Sequence, residues 1–153
     1  MIPTAPNKTI VFALTVFAFM TAHLSSAQPK LDWQQLPPLP DPIGFAGPFA
    51  GTSGGALIVA GGANFPDKMP WDGGRKVWYD TVFLLDRTNG QWRTAHKLPR
   101  PLGYGVSLTT PDGVLCIGGS DSAQHVRDVF LLSYSHGELK AETLSPLPGP
   151  LAT

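Results

Sequence analysis

Four short patterns recur in this chain, at spacings that agree once a single insertion is allowed for. Leu39-Pro40-Asp41-Pro42-Ile43-Gly44 returns as Leu98-Pro99-Arg100-Pro101-Leu102-Gly103 and again as Leu147-Pro148-Gly149-Pro150-Leu151-Ala152, at offsets of 59 and 49 residues. Gly61-Gly62 returns as Gly118-Gly119 after 57 residues, and Val82-Phe83-Leu84-Leu85 as Val129-Phe130-Leu131-Leu132 after 47. Trp33 stands six residues before Leu39, as Trp92 stands six before Leu98. From Gly62 to Val82 is 20 residues, whereas from Gly119 to Val129 is 10, so the first copy carries ten extra residues. Without them every offset becomes 47 or 49. A period of this size demands an array of like units, each burying its core against the next.

Each unit reads as an apolar strand, a second strand ending in Gly-Gly, a third apolar strand, a turn, and a final strand. That is the plan of a four-stranded blade, and a period of about 50 residues is the kelch one. The fold class is therefore all-β, a kelch-type β-propeller fragment of about two blades with partial neighbours. Residues 43–95 and 102–144 are each expected to form one blade. Residues 28–42 are expected to hold a lone outer strand (30–36) and a linker, and residues 147–153 to open the next repeat. Propellers close with about four to eight blades, so the ring is expected to be completed beyond Thr153 or by another chain. The glycine pairs are expected to take positive φ and let the backbone approach the neighbouring blade without a Cβ clash. Asn89-Gly90 and His136-Gly137 occupy hairpin-turn positions. Trp33 and Trp92 are expected to fill the wedge between blades.

Composition narrows the function classes. Eleven basic and eleven acidic residues balance to zero, which supplies no electrostatic drive toward nucleic acid or an anionic membrane. The 17 glycines and 16 prolines punctuate apolar runs, which fits short strands and tight turns rather than disorder. The single cysteine, Cys116, has no internal disulfide partner and lies in an apolar strand-like run, where it reads as a buried small apolar residue. Lys8 precedes the apolar stretch of residues 10–20, and Ser25-Ser26-Ala27 precede Gln28. A positive start, a short apolar core and small residues at a cleavage point describe a signal peptide over residues 1–27. The apolar run is shorter than the ~20 residues of a spanning helix. The mature chain is thus expected in the periplasm or outside the cell, without stable membrane insertion after cleavage.

Strand direction alternates within a blade, so the loop after the second strand opens on the same side as the linker between blades. On that side lie residues 36–43, the insertion within 63–80, the loop around Arg100, and residues 120–128. The insertion mixes aromatics with both signs of charge, a composition suited to stacking on sugar rings and holding hydroxyl or acid groups, and a long loop on a rigid scaffold is a usual seat of function. The candidate substrate-binding residues are Asn64, Asp67, Trp71, Arg75, Lys76 and Arg100, with Arg75 first among the cations. Trp71, Trp78 and Tyr79 could equally pack the loop onto its blade, and each cation could equally serve only the solvated rim. His96, His125 and His136 have no metal-ligand spacing, and no Ser-His-Asp arrangement, phosphate-cradling glycine loop or zinc motif is present.

The runs Pro42-Ile43-Gly44-Phe45-Ala46-Gly47-Pro48-Phe49-Ala50-Gly51 and Leu57-Ile58-Val59-Ala60-Gly61-Gly62-Ala63, with the long loop through Asp72-Gly73-Gly74-Arg75-Lys76, resemble the penultimate blade of the N-acetylneuraminate epimerase (sialic acid mutarotase) family. Gly103-Tyr104-Gly105-Val106-Ser107-Leu108 and Leu115-Cys116-Ile117-Gly118-Gly119 resemble that family's last blade. The likeness covers residues 33–133, in the order of a cyclically permuted branch. It implies a periplasmic six-bladed propeller that interconverts the anomers of the sugar acid N-acetylneuraminate, with no metal or organic cofactor. It also implies a catalytic Glu directly after a Gly-containing turn and an Arg six residues beyond. The positions after the two glycine pairs hold Ala63 and Ser120, so no catalytic residue is assigned in this chain and its activity as it stands is expected to be absent. A non-catalytic carbohydrate-binding or scaffold propeller is the alternative. A copper oxidase of kelch fold would need Tyr, His and Cys ligands converging on the axis, which the scattered histidines do not supply.

Overall fold

The apolar runs between the glycine and proline breaks form strands, and three of their antiparallel pairings close through two-residue turns that force the chain back on itself. In the computed structural model, which describes residues 31–86 and 90–153, the chain divides into two units, Met1–Gln35 and Leu36–Thr153. In the second unit, β1 (Phe49–Ser53) and β2 (Ala56–Ala60) pair antiparallel across Gly54-Gly55, whose φ values of 55° and 80° match a two-residue hairpin turn. β3 (Ala63–Asn64) and β4 (Val77–Trp78) form a short ribbon that closes the base of the insertion. β5 (Thr81–Leu85) and β6 (Trp92–Lys97) complete a sheet of order β1-β2-β5-β6.

The second sheet repeats the plan with β7 (Val106–Thr110), β8 (Gly113–Ile117), β9 (Val129–Ser135) and β10 (Glu138–Thr143) in spatial order. His136-Gly137 joins β9 to β10 with φ values of 52° and 83°, the turn expected there. In the first blade Gly90 has φ 62°, while Asn89 lies outside the described residues. So do the segment expected to be a signal peptide and Lys30.

The two blades pack face to face through residues that the repeat places at equivalent positions. The Ala50 and Thr52 amides of β1 donate to the Ser107 and Thr109 hydroxyls of β7, each at 3.1 Å and each across 57 residues, the repeat offset itself. Phe49, fully buried, meets Phe130 edge-to-face at 5.4 Å between ring centroids. Gly105 lies against the Phe49 ring, where any Cβ would collide. Ile58, Val82, Leu84, Val114, Cys116 and Leu132 complete the sealed core. Burying each large apolar side chain fully contributes about 1.5–3 kcal/mol.

The glycine pairs behave as the sequence predicts. Gly61 and Gly62 have φ 63° and 93°, and the Gly62 amide donates to the Leu102 carbonyl at 2.7 Å. Gly118 and Gly119 have φ 64° and 112°, and the Gly119 amide donates to the Leu151 carbonyl at 2.6 Å. Each pair thus docks onto the first residues of the following repeat.

Among the described residues, 31–36 are not in strand form, and Trp33 is 86% exposed. A strand exists through its hydrogen-bonded neighbour, and among the described residues none pairs with this segment. Residues 36–45 are also more than a rim loop. The Trp92 indole donates to the Pro37 carbonyl at 2.8 Å, and Phe45 packs on Phe83 and Tyr79 at 5.8 and 5.1 Å. Trp92 sits at the end of β6 opposite Lys97, so this segment runs as a strap from one end of the first blade to the other, and only its end near Ile43 reaches the candidate face.

Candidate functional site

The insertion, the Arg100 linker and the loop after β8 do converge, as strand alternation predicts. They enclose a cleft of about 420 Å³ whose wall includes Lys76, Trp78, Arg100, Asp121 and Ser122. A second cleft of about 470 Å³ opens on the other side of Lys76, between Phe45, Phe65, Met69 and Tyr104. Lys76 is common to both.

Each candidate residue has a definite place. Asn64 is buried and serves as a latch: its Nδ2 donates to the Gly44 carbonyl at 2.9 Å and its Oδ1 accepts from the Tyr79 hydroxyl at 2.8 Å. Asp67 and Arg75 are exposed, and Trp71 is 79% exposed on a single 3₁₀ turn (Pro70–Asp72) ended by Gly73 at φ 78°. Gly74 then crosses so close to the Lys68 carbonyl that no side chain fits, which turns the chain sharply into Arg75 and Lys76.

Arg100 is engaged by protein carboxylates. Its Nε and Nη2 both donate to Asp128 Oδ2, at 3.0 and 2.7 Å, and its Nη1 lies 3.5 Å from Asp121 Oδ2. Two carboxylates around one guanidinium leave a local excess of negative charge, so Arg100 clasps the linker to the 120–128 loop rather than awaiting an anion. Asp121 also closes that loop, its Oδ1 accepting the Ala123 and Gln124 amides at 2.8 and 2.9 Å. Those two backbone hydrogen bonds, and then the Arg100 charge, hold its carboxyl below the ordinary 3.8.

Lys76 differs from the other cations. Its ammonium donates to the Tyr104 hydroxyl at 2.7 Å and lies 4.4, 5.3 and 5.8 Å from the ring centroids of Tyr104, Trp78 and Phe65. Such an aromatic cage holds a cation through the ring quadrupoles. Tyr104 was not among the sequence candidates. Aligning Leu39–Gly44 with Leu98–Gly103 sets Tyr104 opposite Phe45; only the equivalent bridges Ala46–Ala63 and Gly103–Ser120 register it with Gly47, so that a bulky ring stands where the first blade has no side chain.

Ala63 and Ser120, which follow the glycine pairs, are buried and bonded through their backbones to Ala46 and Gly103, and neither side chain carries the carboxyl that the family resemblance implies there. His96, His125 and His136 are exposed, and among the described residues no group of three or more His, Cys, Asp or Glu side chains could hold a metal ion. No described helix is long and apolar enough to cross a membrane.

Two four-stranded antiparallel blades docked by glycine pairs, with an aromatic and charged loop cluster on one face, define a piece of a kelch-type β-propeller. The family model for N-acetylneuraminate epimerase matches residues 18–141, and the chain belongs to that family. The Yersinia pestis (strain Pestoides F) N-acetylneuraminate epimerase is 40% identical over 131 residues, which cover 73% of this chain and 32% of the relative. The Salmonella enteritidis PT4 N-acetylneuraminate epimerase is 43% identical over 108 residues, covering 61% and 28%. A solved structure, that of YjhT, superposes with a TM-score of 0.66 at 30% identity, covering 76% of this chain and 36% of that one. The chain therefore spans about a third of the length of the relatives it matches.

Proposed function

We propose that this chain forms part of a sialic acid mutarotase-like isomerase, which interconverts the anomers of N-acetylneuraminate after export from the cytoplasm. The observation that carries the reading is family membership at about 40% identity, joined to a loop cluster that sets aromatic rings and one uncompensated cation around two clefts. Anomer exchange requires ring opening at the anomeric carbon, hence a group that moves a proton and a group that holds the sugar acid in place. Among the described residues the rim offers the second and not the first. In this reading the chain supplies one wall of the pocket, and the proton-transfer pair stands on another blade.

The test is exchange NMR of the N-acetylneuraminate anomers with this chain and with any longer product of its gene. Acceleration over buffer by a product that carries further repeats, with none from the chain alone, is the expected result. No acceleration by any product removes the isomerase reading and favours a carbohydrate-binding or scaffold propeller.

A further inference from the structure

We propose that Tyr104 and Lys76 act together as a carboxylate-holding pair, and that Tyr104 is kept in a strained backbone conformation to complete it. The identity of the ligand as an acidic sugar rests on the function proposed above; the pair itself rests on geometry.

Tyr104 has φ 59°, in the left-handed region that a bulky side chain rarely occupies. Its repeat equivalent, Gly47, has φ 60°, so the fold demands this conformation at both positions and glycine meets the demand without strain. A tyrosine in the second copy is therefore a local cost with no backbone gain. Such costs concentrate where a side chain has a task.

The task is visible at the ring's far end. The Tyr104 hydroxyl accepts from Lys76 Nζ at 2.7 Å and keeps its own proton, for which the described residues supply no acceptor. Lys76 spends one of its three donors there, and no carboxylate lies within ion-pairing distance of it among the described residues. The Trp78 indole N–H beside it is buried without a partner. This corner thus holds a positive charge and unused donors on Lys76 and Tyr104 beside the clefts, while the charge of the neighbouring Arg100 is already met by two carboxylates. The two oxygens of a carboxylate match that surplus, one taking a remaining Lys76 N–H and the other the Tyr104 O–H.

The experiment compares binding of N-acetylneuraminate with binding of its uncharged methyl ester by the full gene product and its Lys76→Met and Tyr104→Phe variants, using tryptophan fluorescence. The unaltered protein should prefer the acid. Lys76→Met should remove that preference, a loss of roughly tenfold or more, as expected for a hydrogen bond to a charged group. Tyr104→Phe keeps ring, fold and backbone angle, and should weaken acid binding several-fold while leaving ester binding unchanged. An unaltered protein without acid preference, or variants that retain it in full, would overturn the pair. Accelerated anomer exchange alongside an intact preference in both variants sinks the pair and leaves the isomerase standing. Loss of the preference without any anomer exchange does the reverse.

Discussion

Replacing Gly61 with alanine probes the joint between the blades directly. Gly61 has φ 63°, and a Cβ at that position runs into the Leu102 carbonyl oxygen, a backbone atom that cannot swing aside. Placing alanine in the left-handed region costs about 1–2 kcal/mol. Moving Leu102 also breaks the 2.7 Å bond from the Gly62 amide, which lies inside the joint. Leaving that buried donor unpaired adds roughly 1–3 kcal/mol, for a total of about 2–5. Gly73 provides the control, since it has φ 78° but open space within 4 Å of where a methyl group would stand. Gly73→Ala should therefore cost only the conformational part, at most about 1–2 kcal/mol. Thermal unfolding followed by tryptophan fluorescence, at concentrations too low for association, reads the difference. At roughly 4 °C per kcal/mol for a domain of this size, Gly61→Ala should lower Tm by about 8–20 °C, and Gly73→Ala by at most about 4–8 °C. Equal shifts for the two variants would show that the close approach to Leu102 contributes nothing, and the account of the glycine pairs would be wrong.

Two further outcomes follow from burial. Desolvation pushes the Cys116 thiol up to about 12 from its ordinary 9.0, so the folded protein should resist iodoacetamide until it is unfolded. Because the folded state holds that proton more tightly than the unfolded one, stability should decline as pH rises from 9.0 toward 12, and Cys116→Ala should flatten that decline. On the face of the second blade turned away from the first, Leu108 is 56% exposed and Val106 40%, beside the half-buried Leu115, Ile117, Val129 and Leu131. An apolar patch of this kind favours association, so the chain by itself should sediment as oligomers or aggregates and Leu108→Lys should shift it toward monomer. A concentration-independent monomer in the unaltered chain would refute this.

Much of the fold is determined by the sequence alone, because its signals are local or periodic. His136-Gly137 dictates a two-residue hairpin, and the glycine pairs at 61–62 and 118–119 mark where one repeat meets the next. The single insertion identifies a loop that lines both clefts. A strand over residues 31–36 is a different case, since it depends on a partner strand that those residues do not find among the described ones.

The roles of the polar side chains were decided only by tertiary structure, because a role depends on which charges and rings lie nearby in space. Arg100 looks like a free loop cation in sequence, yet Asp121 and Asp128, the latter 28 residues away, neutralise it. Asn64 looks like a ligand for hydroxyl groups, yet Gly44 and Tyr79 fold around it and use its amide. Arg75 and Lys76 are adjacent and alike in charge, but the sharp turn at Gly74 leaves Arg75 in solvent and sends Lys76 under the ring of Tyr104, a residue of the other blade. A repeat can be counted along one dimension. Which cation meets which ring depends on how two blades dock, and that exists only in three.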